Sequence, residues 1–399
     1  MATKPRYFSL DVFRGATVAL MILVNNPGTW DHVFSPLLHA QWHGCSPTDL
    51  VFPFFLFAVG NAIAFVLPGL KEAGDAIFWK KIGKRTILIF LIGLFLNWWP
   101  FFAWQNGALV FREWVDTADS AYGIRIFGVL QRIALAYFFA SIIAYYFKPK
   151  AIMVIATILL VGYWGLCYGY GGADPYSLGG YFGTAVDIQL VGEAHLYRGE
   201  GIAFDPEGLM STVPSIVQAV FGYLVGLFIK QNAKVDWLFS KVPFTEDKYF
   251  RMLSAMMVSG FLILVLGWIW SLGFPINKKI WTSSYVLYTT GLAVLTLGTV
   301  IWYVEVQNVR NSLTSFFVVF GKNPLFIYIL SSMIPSLLEI VIVNTPKGEL
   351  NVWEAFYQNI CSLLPGPPEV GSLFFALVFL VIMWLIGYML DKRKIYIKV

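Results

Sequence analysis

Residues 49–68 read DLVFPFFLFAVGNAIAFVLP, and Asp49 is the one charged side chain in that run. A helix of about 20 residues rises about 30 Å, the thickness of the hydrocarbon core of a bilayer. Working outward, roughly ten stretches of this kind are found, near 8–27, 49–68, 86–103, 126–147, 151–170, 211–229, 252–272, 282–303, 323–343 and 371–390. The composition agrees: 58% of the 399 residues are hydrophobic and 13% are charged. Soluble domains hold about 45–50% apolar and about 25% charged residues, so no soluble core accounts for the excess. The expected fold is all-α, a polytopic transmembrane helical bundle forming one domain over residues 1–399.

Loop charge predicts the orientation. Basic groups collect around Lys4 and Arg6, from Lys71 to Arg85, at Lys148 and Lys150, from Lys230 to Lys241, and from Lys392 to Lys398. The positive-inside rule places those segments and both termini in the cytoplasm. Lys278 and Lys279 break the pattern by falling in an outer loop. The basic residues form no continuous polar face, which argues against nucleic-acid binding. The outer loops carry all four histidines together with Gly, Pro, aromatic and acidic residues. Cys45, Cys167 and Cys361 lie far apart, without metal-ligand or disulfide-framework spacing, so no metal is expected. The basic leader runs into an apolar stretch of spanning length without a cleavage site, and is expected to stay as the first helix.

Polar residues concentrate around the first two stretches. Asp11 and Arg14 share a helical face and form either an intrahelical ion pair or part of an anion site. His39 could take a proton from an amine or hydroxyl, or serve as an ordinary loop histidine bonded to backbone. His43 could share its face only in a helix, which Gly44 and Pro47 oppose. Asp49 could cap a helix, orient the imidazole, or do both. Asn25 could donate to an oxyanion or make an interhelical contact. Arg125, Gln131 and Arg132 recur at the outer half of one predicted helix, and a guanidinium at that depth needs an anionic partner, protein or ligand. Asp205 and Glu207 suit either a helix start or a sugar amine or hydroxyl. Asn277, Lys278, Trp281 and Tyr285 form a group that either binds sugars or makes an interfacial belt.

Together these segments resemble the transmembrane acyltransferase family typified by heparan-alpha-glucosaminide N-acetyltransferase. The resemblance is carried in order by SLDVFRG (9–15), VNN (24–26), HAQWHG (39–44), TDLVFPFFLFAVG (48–60), GVLQRIALAYF (128–138), HLYRGEGIAFDPEG (195–208), NKKIWTSSYV (277–286) and KIYIKV (394–399). It implies transfer of an acetyl group from cytoplasmic acetyl-CoA to an amino sugar or related acceptor on the outer side. His39 would be the general base, with Asn25 and Asp49 beside it. The expected acetyl-CoA contacts are Arg14, Lys84, Arg85, Gln131, Arg132, Lys322 and Asn323. The expected acceptor contacts are Asp205, Glu207, Asn277, Lys278 and Trp281. The family also implies a homodimer.

The chain departs from the lysosomal enzyme in three ways. It is expected to lack an amino-terminal lumenal domain and an extra leading span, which would suit a bacterial cytoplasmic membrane. Its loop between Asn25 and His39 is longer, and His43 stands where the lysosomal enzyme has asparagine. The rival reading is an amino-sugar transporter, which the lack of an internal repeat weakens.

Overall fold

A computed structural model describes residues 7–105, 107–117, 119–231, 248–346 and 348–397. Lys4, Arg6, Lys234, Lys241 and Lys398, used above for orientation, lie outside the described residues. The helices are α1 (Phe8–Asn25), α2 (Val51–Ala73), α3 (Asp75–Trp98), α4 (Val129–Tyr146), α5 (Pro149–Tyr170), α6 (Gly183–Val191), α7 (Leu209–Lys230), α8 (Lys248–Trp270), α9 (Ser283–Ile301), α10 (Ser312–Lys322), α11 (Pro324–Ile340), α12 (Val352–Asn359) and α13 (Pro368–Lys392).

Eight of these, α1, α2, α4, α5, α7, α8, α9 and α13, are long and apolar enough to cross a membrane. The α10–α11 pair makes a ninth only as a span bent by 82°. The expectation of about ten counted α3, which has spanning length but carries Lys80, Lys81, Lys84 and Arg85 along its first half. The chain is a helical transmembrane protein, with most of each expected apolar stretch in a helix, although 86–103 runs past α3 into β1 and 323–343 past α11 into β3. Two features escaped the hydropathy reading. Antiparallel hairpins β1–β2 (Phe102–Gln105, Ala108–Phe111) and β3–β4 (Ile342–Thr345, Gly348–Asn351) sit in the connections after α3 and after α11. Their four-residue strands are too short to register as apolar alternation.

The centre of the bundle is formed by α1, α2, α4, α7 and α9, most of whose side chains are buried, while α5 and α8 present many apolar side chains outward. In a bilayer, helices gain little from burying apolar surface against each other, so close approach of small residues carries more of the packing. The α2–α7 contact shows this. A Cβ on Gly60 would lie 1.9 Å from the Ala219 carbonyl oxygen, and one on Gly222 would lie 2.1 Å from that of Phe57. The same device joins α1 to α10, where a Cβ on Gly15 would lie 1.7 Å from the Phe317 carbonyl oxygen.

The break between α10 and α11 has a local cause. Pro324 starts α11, and Asn323 is held sideways by the carboxy-terminal segment: its Nδ2 donates to the Ile395 carbonyl at 3.0 Å and its Oδ1 accepts from Ile397 N–H at 2.9 Å.

These contacts predict the sign of two glycine substitutions. Gly60→Ala should destabilise the fold by about 1–3 kcal/mol through overpacking. Gly162→Ala in α5, where a Cβ meets nothing within 4 Å, should be neutral or slightly stabilising. Thermal unfolding midpoints of the two variants in detergent check the contrast.

Candidate active site

The segment from Leu38 to Ser46 is not helical, as Gly44 and Pro47 require, and Gly44 adopts φ +114°. It is nevertheless fixed. Gly44 N–H donates to the Ile276 carbonyl (2.8 Å) and Trp42 Nε1 to the Tyr176 carbonyl (2.7 Å), while Lys279 Nζ donates to the Gln41 carbonyl (2.7 Å). Ser46 caps a short 3₁₀ turn, Pro47–Leu50, that leads into α2, and Asp49 closes a reciprocal capping box with it. The S-x-x-D spacing carries that signal in the sequence.

Asp49 is 1% exposed, and its carboxylate is surrounded by donors. Oδ2 accepts from the backbone N–H of Ala40 and of Ser46 and from the Ser46 hydroxyl, each at 3.0 Å. Oδ1 lies 2.7 Å from His39 Nδ1 and 3.4 Å from Lys278 Nζ. A carboxylate can only accept, so in this geometry Nδ1 carries a proton, and in the neutral imidazole the lone pair is on Nε2. The His39 side chain is 40% exposed. Helix-cap and imidazole-orienting geometry are thus both present in Asp49.

Lys278 Nζ stands 3.0 Å from Nδ1 and 3.4 Å from Nε2 of the same ring. Burial pulls its ammonium below the usual lysine range, opposed by the charges of Asp49 and Glu207. Lys279 pairs with Glu200 at 2.6 Å. Both outer-loop lysines therefore answer buried or half-buried acids.

Below this cluster the floor is aromatic. The Tyr285 hydroxyl donates to the Asp49 carbonyl at 2.5 Å, and the Trp281 ring meets Phe52 and Tyr285 edge-on at 5.1 and 5.2 Å. Trp281 is fully buried and adopts φ +48° in a turn organised by Asn277, whose Oδ1 accepts from Ile280 N–H at 3.0 Å. Asn277 and Trp281 are thus walls of the fold, without an open face to offer a sugar. On the other side of Trp281 lies the Arg132 guanidinium, 4.8 Å from the ring centre. Arg132 donates to the Pro206 carbonyl and to Ser211 Oγ, while its Nε and Nη1 have no partner among the described residues.

Arg125 precedes α4 and does not belong to it, because the helix begins only at Val129. It donates to Asp205 through Nε (2.8 Å) and Nη2 (2.6 Å), and to Glu207 at 2.5 Å. The two carboxylates hold it above the ordinary arginine value despite burial, and its charge keeps Glu207 ionised. Asp205 and Glu207 thus serve a protein cation first. Helix α7 is capped from elsewhere: Asp187 Oδ1 accepts from Leu209 N–H at 2.9 Å. Gln131 Nε2 is used on the Ile126 carbonyl.

The expected acetyl-CoA residues divide between the two ends of the bundle. Arg14 and Arg85 line one cavity, whose wall follows α2 from Phe55 to Leu70 and includes Tyr137, Pro324 and Leu325. Arg14 donates to the Gly321 carbonyl (2.5 Å) and to Asp11 (2.7 Å), and Arg85 stacks 4.8 Å over Tyr137. A second cavity of about 1480 Å³ shares Arg14, Ala58, Ala62 and Val66 with the first and adds Lys230, which sequence reading did not single out as a ligand contact. Lys84 is exposed on α3. Lys322 pairs with Asp391 at 2.7 Å, and Asn323 holds the carboxy-terminal segment. Gln131 and Arg132 lie at the opposite, His39-bearing end. Asn25 lines a different cavity and makes no hydrogen bond to His39 among the described residues.

Fold and site together define a helical membrane protein with a carboxylate-backed histidine at one end and an arginine-lined cavity toward the other. Comparison with known proteins agrees with the motif resemblance. Residues 6–168 match the family model described as heparan-alpha-glucosaminide N-acetyltransferase, catalytic. The chain is 28% identical over 378 residues to the human protein named heparan-alpha-glucosaminide N-acetyltransferase, covering 82% of this chain and 53% of the relative. It is 27% identical over 375 residues to the mouse protein of that name, covering 80% and 52%. The chain is thus similar to proteins named heparan-alpha-glucosaminide N-acetyltransferase, and it spans about half the length of the curated relatives it matches.

The buried Asp187 gives a pH signature for the outer layer. Burial pushes its carboxyl up to about 7, against the pull of the Leu209 N–H. An acid raised in the folded state stabilises the fold fully below its unfolded value of about 4, and loses that contribution as pH rises through about 7. Thermal stability should therefore fall across this window by at most about 1.4 kcal/mol per pH unit from this group. Asp187→Asn should remove that part of the slope in melting curves recorded between pH 4 and 8.

Proposed function

We propose that this chain is a transmembrane acetyltransferase that moves an acetyl group from cytoplasmic acetyl-CoA to an amine or hydroxyl acceptor, of amino-sugar type, on the outer side. The observation that carries the reading is the His39–Asp49 pair at 2.7 Å, with Asp49 surrounded by donors and the His39 side chain 40% exposed. The similarity to N-acetyltransferases supports it.

In the reaction, His39 Nε2 removes a proton from the acceptor as its nitrogen or oxygen attacks the thioester carbonyl. The carbonyl oxygen becomes a tetrahedral oxyanion. Collapse re-forms the C=O bond, breaks the C–S bond and releases the CoA thiolate, which takes the proton back from the imidazolium. Asp49 fixes the tautomer and steadies the transient imidazolium. Lys278, 3.4 Å from Nε2, is the cation best placed to face the oxyanion. Asn25 is the family's expected helper, and its reach to the reacting carbonyl would need the substrate to bridge from the outer cavity.

Acetyl-CoA is assigned to the cavities along α2. Its phosphates would meet Arg14 and Arg85, with Lys84 and Lys230 nearby, and its pantetheine arm would lie on the apolar wall toward Phe55. Phe55 is one helical turn from Phe52, which touches the Trp281–Arg132 layer under the histidine. These residues fit a flexible polyanion: point charges at one end, apolar surface along the rest. The basic-loop end of the bundle is the cytoplasmic face in this reading, and the membrane is a bacterial cytoplasmic membrane.

The transporter reading draws on the broken α10–α11 helix, since discontinuous helices often hold transported ions. Here the break is occupied by the carboxy-terminal segment, which leaves acetyl transfer better supported. Purified protein supplied with radiolabelled acetyl-CoA and glucosamine should form acetylated sugar, and His39→Ala should reduce the rate by about 10²–10⁴-fold. Transfer that survives the substitution would remove His39 from the mechanism, and sugar uptake into vesicles without any transfer would favour transport.

A further inference from the structure

Lys278 and Lys279 are neighbours in one tight turn, yet their side chains are held differently. The turn itself is fixed, since Trp281 N–H donates to the Lys278 carbonyl at 3.1 Å and Thr282 N–H to the Asn277 carbonyl at 3.0 Å. Lys279 is fully engaged as a cation. Its Nζ lies 2.6 Å from Glu200 Oε2, donates to the Gln41 carbonyl at 2.7 Å and stands 5.7 Å over the Trp42 ring. Lys278 is held more loosely. Its Nζ faces His39, Asp49, Glu207 and Cys45, and its one ion pair among the described residues is the 3.4 Å approach to Asp49 Oδ1.

Asp49 does not depend on that approach. Its oxygens already accept from the Ala40 and Ser46 N–H groups, the Ser46 hydroxyl and His39 Nδ1. With Nδ1 donating to the carboxylate, the ring atom left to accept from Lys278 is Nε2, 3.4 Å from Nζ. A general base lies about 2.6–3.2 Å from the group whose proton it takes, and the distance is commonly longer before the reactants bind. The Lys278 amine therefore stands where an acceptor amine would stand against His39. Burial favours its uncharged form, opposed by the charges of Asp49 and Glu207, and the uncharged amine is the nucleophile. With 21% of its side chain exposed, Lys278 is not sealed into the fold.

We propose that Lys278 is a self-acetylation site: when an acetyl thioester is bound and no external acceptor is, the Lys278 amine takes the acetyl group. The inference rests on the acetyl-transfer reading for its donor. The Nζ lone pair attacks the thioester carbonyl carbon and forms the N–C bond, while His39 Nε2 takes a proton from Nζ. Collapse of the tetrahedral intermediate re-forms C=O and breaks the C–S bond, and the CoA thiolate leaves with the proton from the imidazolium. The product is an amide, which does not pass its acetyl group on, and the charge of the lysine is gone. The modified chain lacks the cation assigned to the oxyanion and carries an acetamide beside Nε2. Self-acetylation is thus a dead end, and an external acceptor prevents it by taking the same place against His39.

The full-length protein in detergent is incubated with acetyl-CoA, with and without glucosamine, and acetylation of each lysine is followed by peptide mass spectrometry. Without glucosamine, Lys278 should gain an acetyl group while Lys279 beside it and the exposed Lys84 on α3 do not. His39→Ala should slow the gain by about 10²-fold or more. In the parent, which needs no substitution to report, excess glucosamine should suppress it, and activity toward glucosamine should fall in step with Lys278 acetylation during preincubation. Acetylation of Lys278 no faster than that of Lys84, equally fast in His39→Ala, or unaltered by glucosamine that the protein is itself acetylating, would overturn the proposal. The two readings fail separately. Acetylated glucosamine with Lys278 left unmodified would sink self-acetylation and keep the transfer. Histidine-dependent acetylation of Lys278 with no product from the sugar would keep the site and remove the amino sugar as acceptor.

Discussion

The carboxylate of Asp49 is the point from which the outer end of this molecule is organised. Taking a charge out of water is costly, and a buried carboxylate is tolerated only when donors surround it. Here the donors come from three places: the backbone and hydroxyl around Ser46, the imidazole of His39, and Lys278 from the loop between α8 and α9. Satisfying one anion therefore folds an irregular loop, fixes the tautomer of a histidine and draws a distant cation to the same spot. The Asp49 backbone takes part as well, since its carbonyl accepts from Tyr285 at the start of α9.

The same requirement shapes the rest of the molecule. Wherever a charge enters the apolar bundle, a counter-charge or a carbonyl is brought to meet it. Arg125 is met by Asp205 and Glu207, Lys322 by Asp391, and Arg14 by Asp11 and the Gly321 carbonyl. Arg132 differs. Its Nε and Nη1 have no partner among the described residues, beside the Trp281 and Phe52 rings.

Local signals carried much of this. The apolar stretches lie in helices because their length and composition admit little else, and the S-x-x-D spacing before α2 announces the cap that binds His39. What depended on distant chain segments was less legible. Arg125 and Arg132 read as parts of one helix, yet Arg125 lies in the lead-in before Val129 and pairs with Asp205 and Glu207. Lys322 and Asn323 read as ligand contacts because nothing nearby in sequence occupies them, and their partners are about 70 positions away. Asp187 caps a helix that starts 22 residues later. Trp281 reads as an exposed platform for sugar, but a positive φ turns it inward against Arg132. Open aromatic surface stands instead at Trp30.

In the proposed mechanism the bilayer keeps donor and acceptor apart, and the protein's task is to bring a thioester to an outward imidazole. The arrangement along α2 matches that division of labour: arginines at the basic-loop end, apolar wall between, and the Asp49–His39 pair where the helix begins. The most direct measurement uses sealed vesicles containing oriented protein, with labelled acetyl-CoA confined to one face and a membrane-impermeant amino sugar to the other. The account predicts acetylated sugar when acetyl-CoA faces the basic loops and the sugar faces His39, and none when the two are exchanged. Equal product with both substrates confined to the His39 face would contradict it.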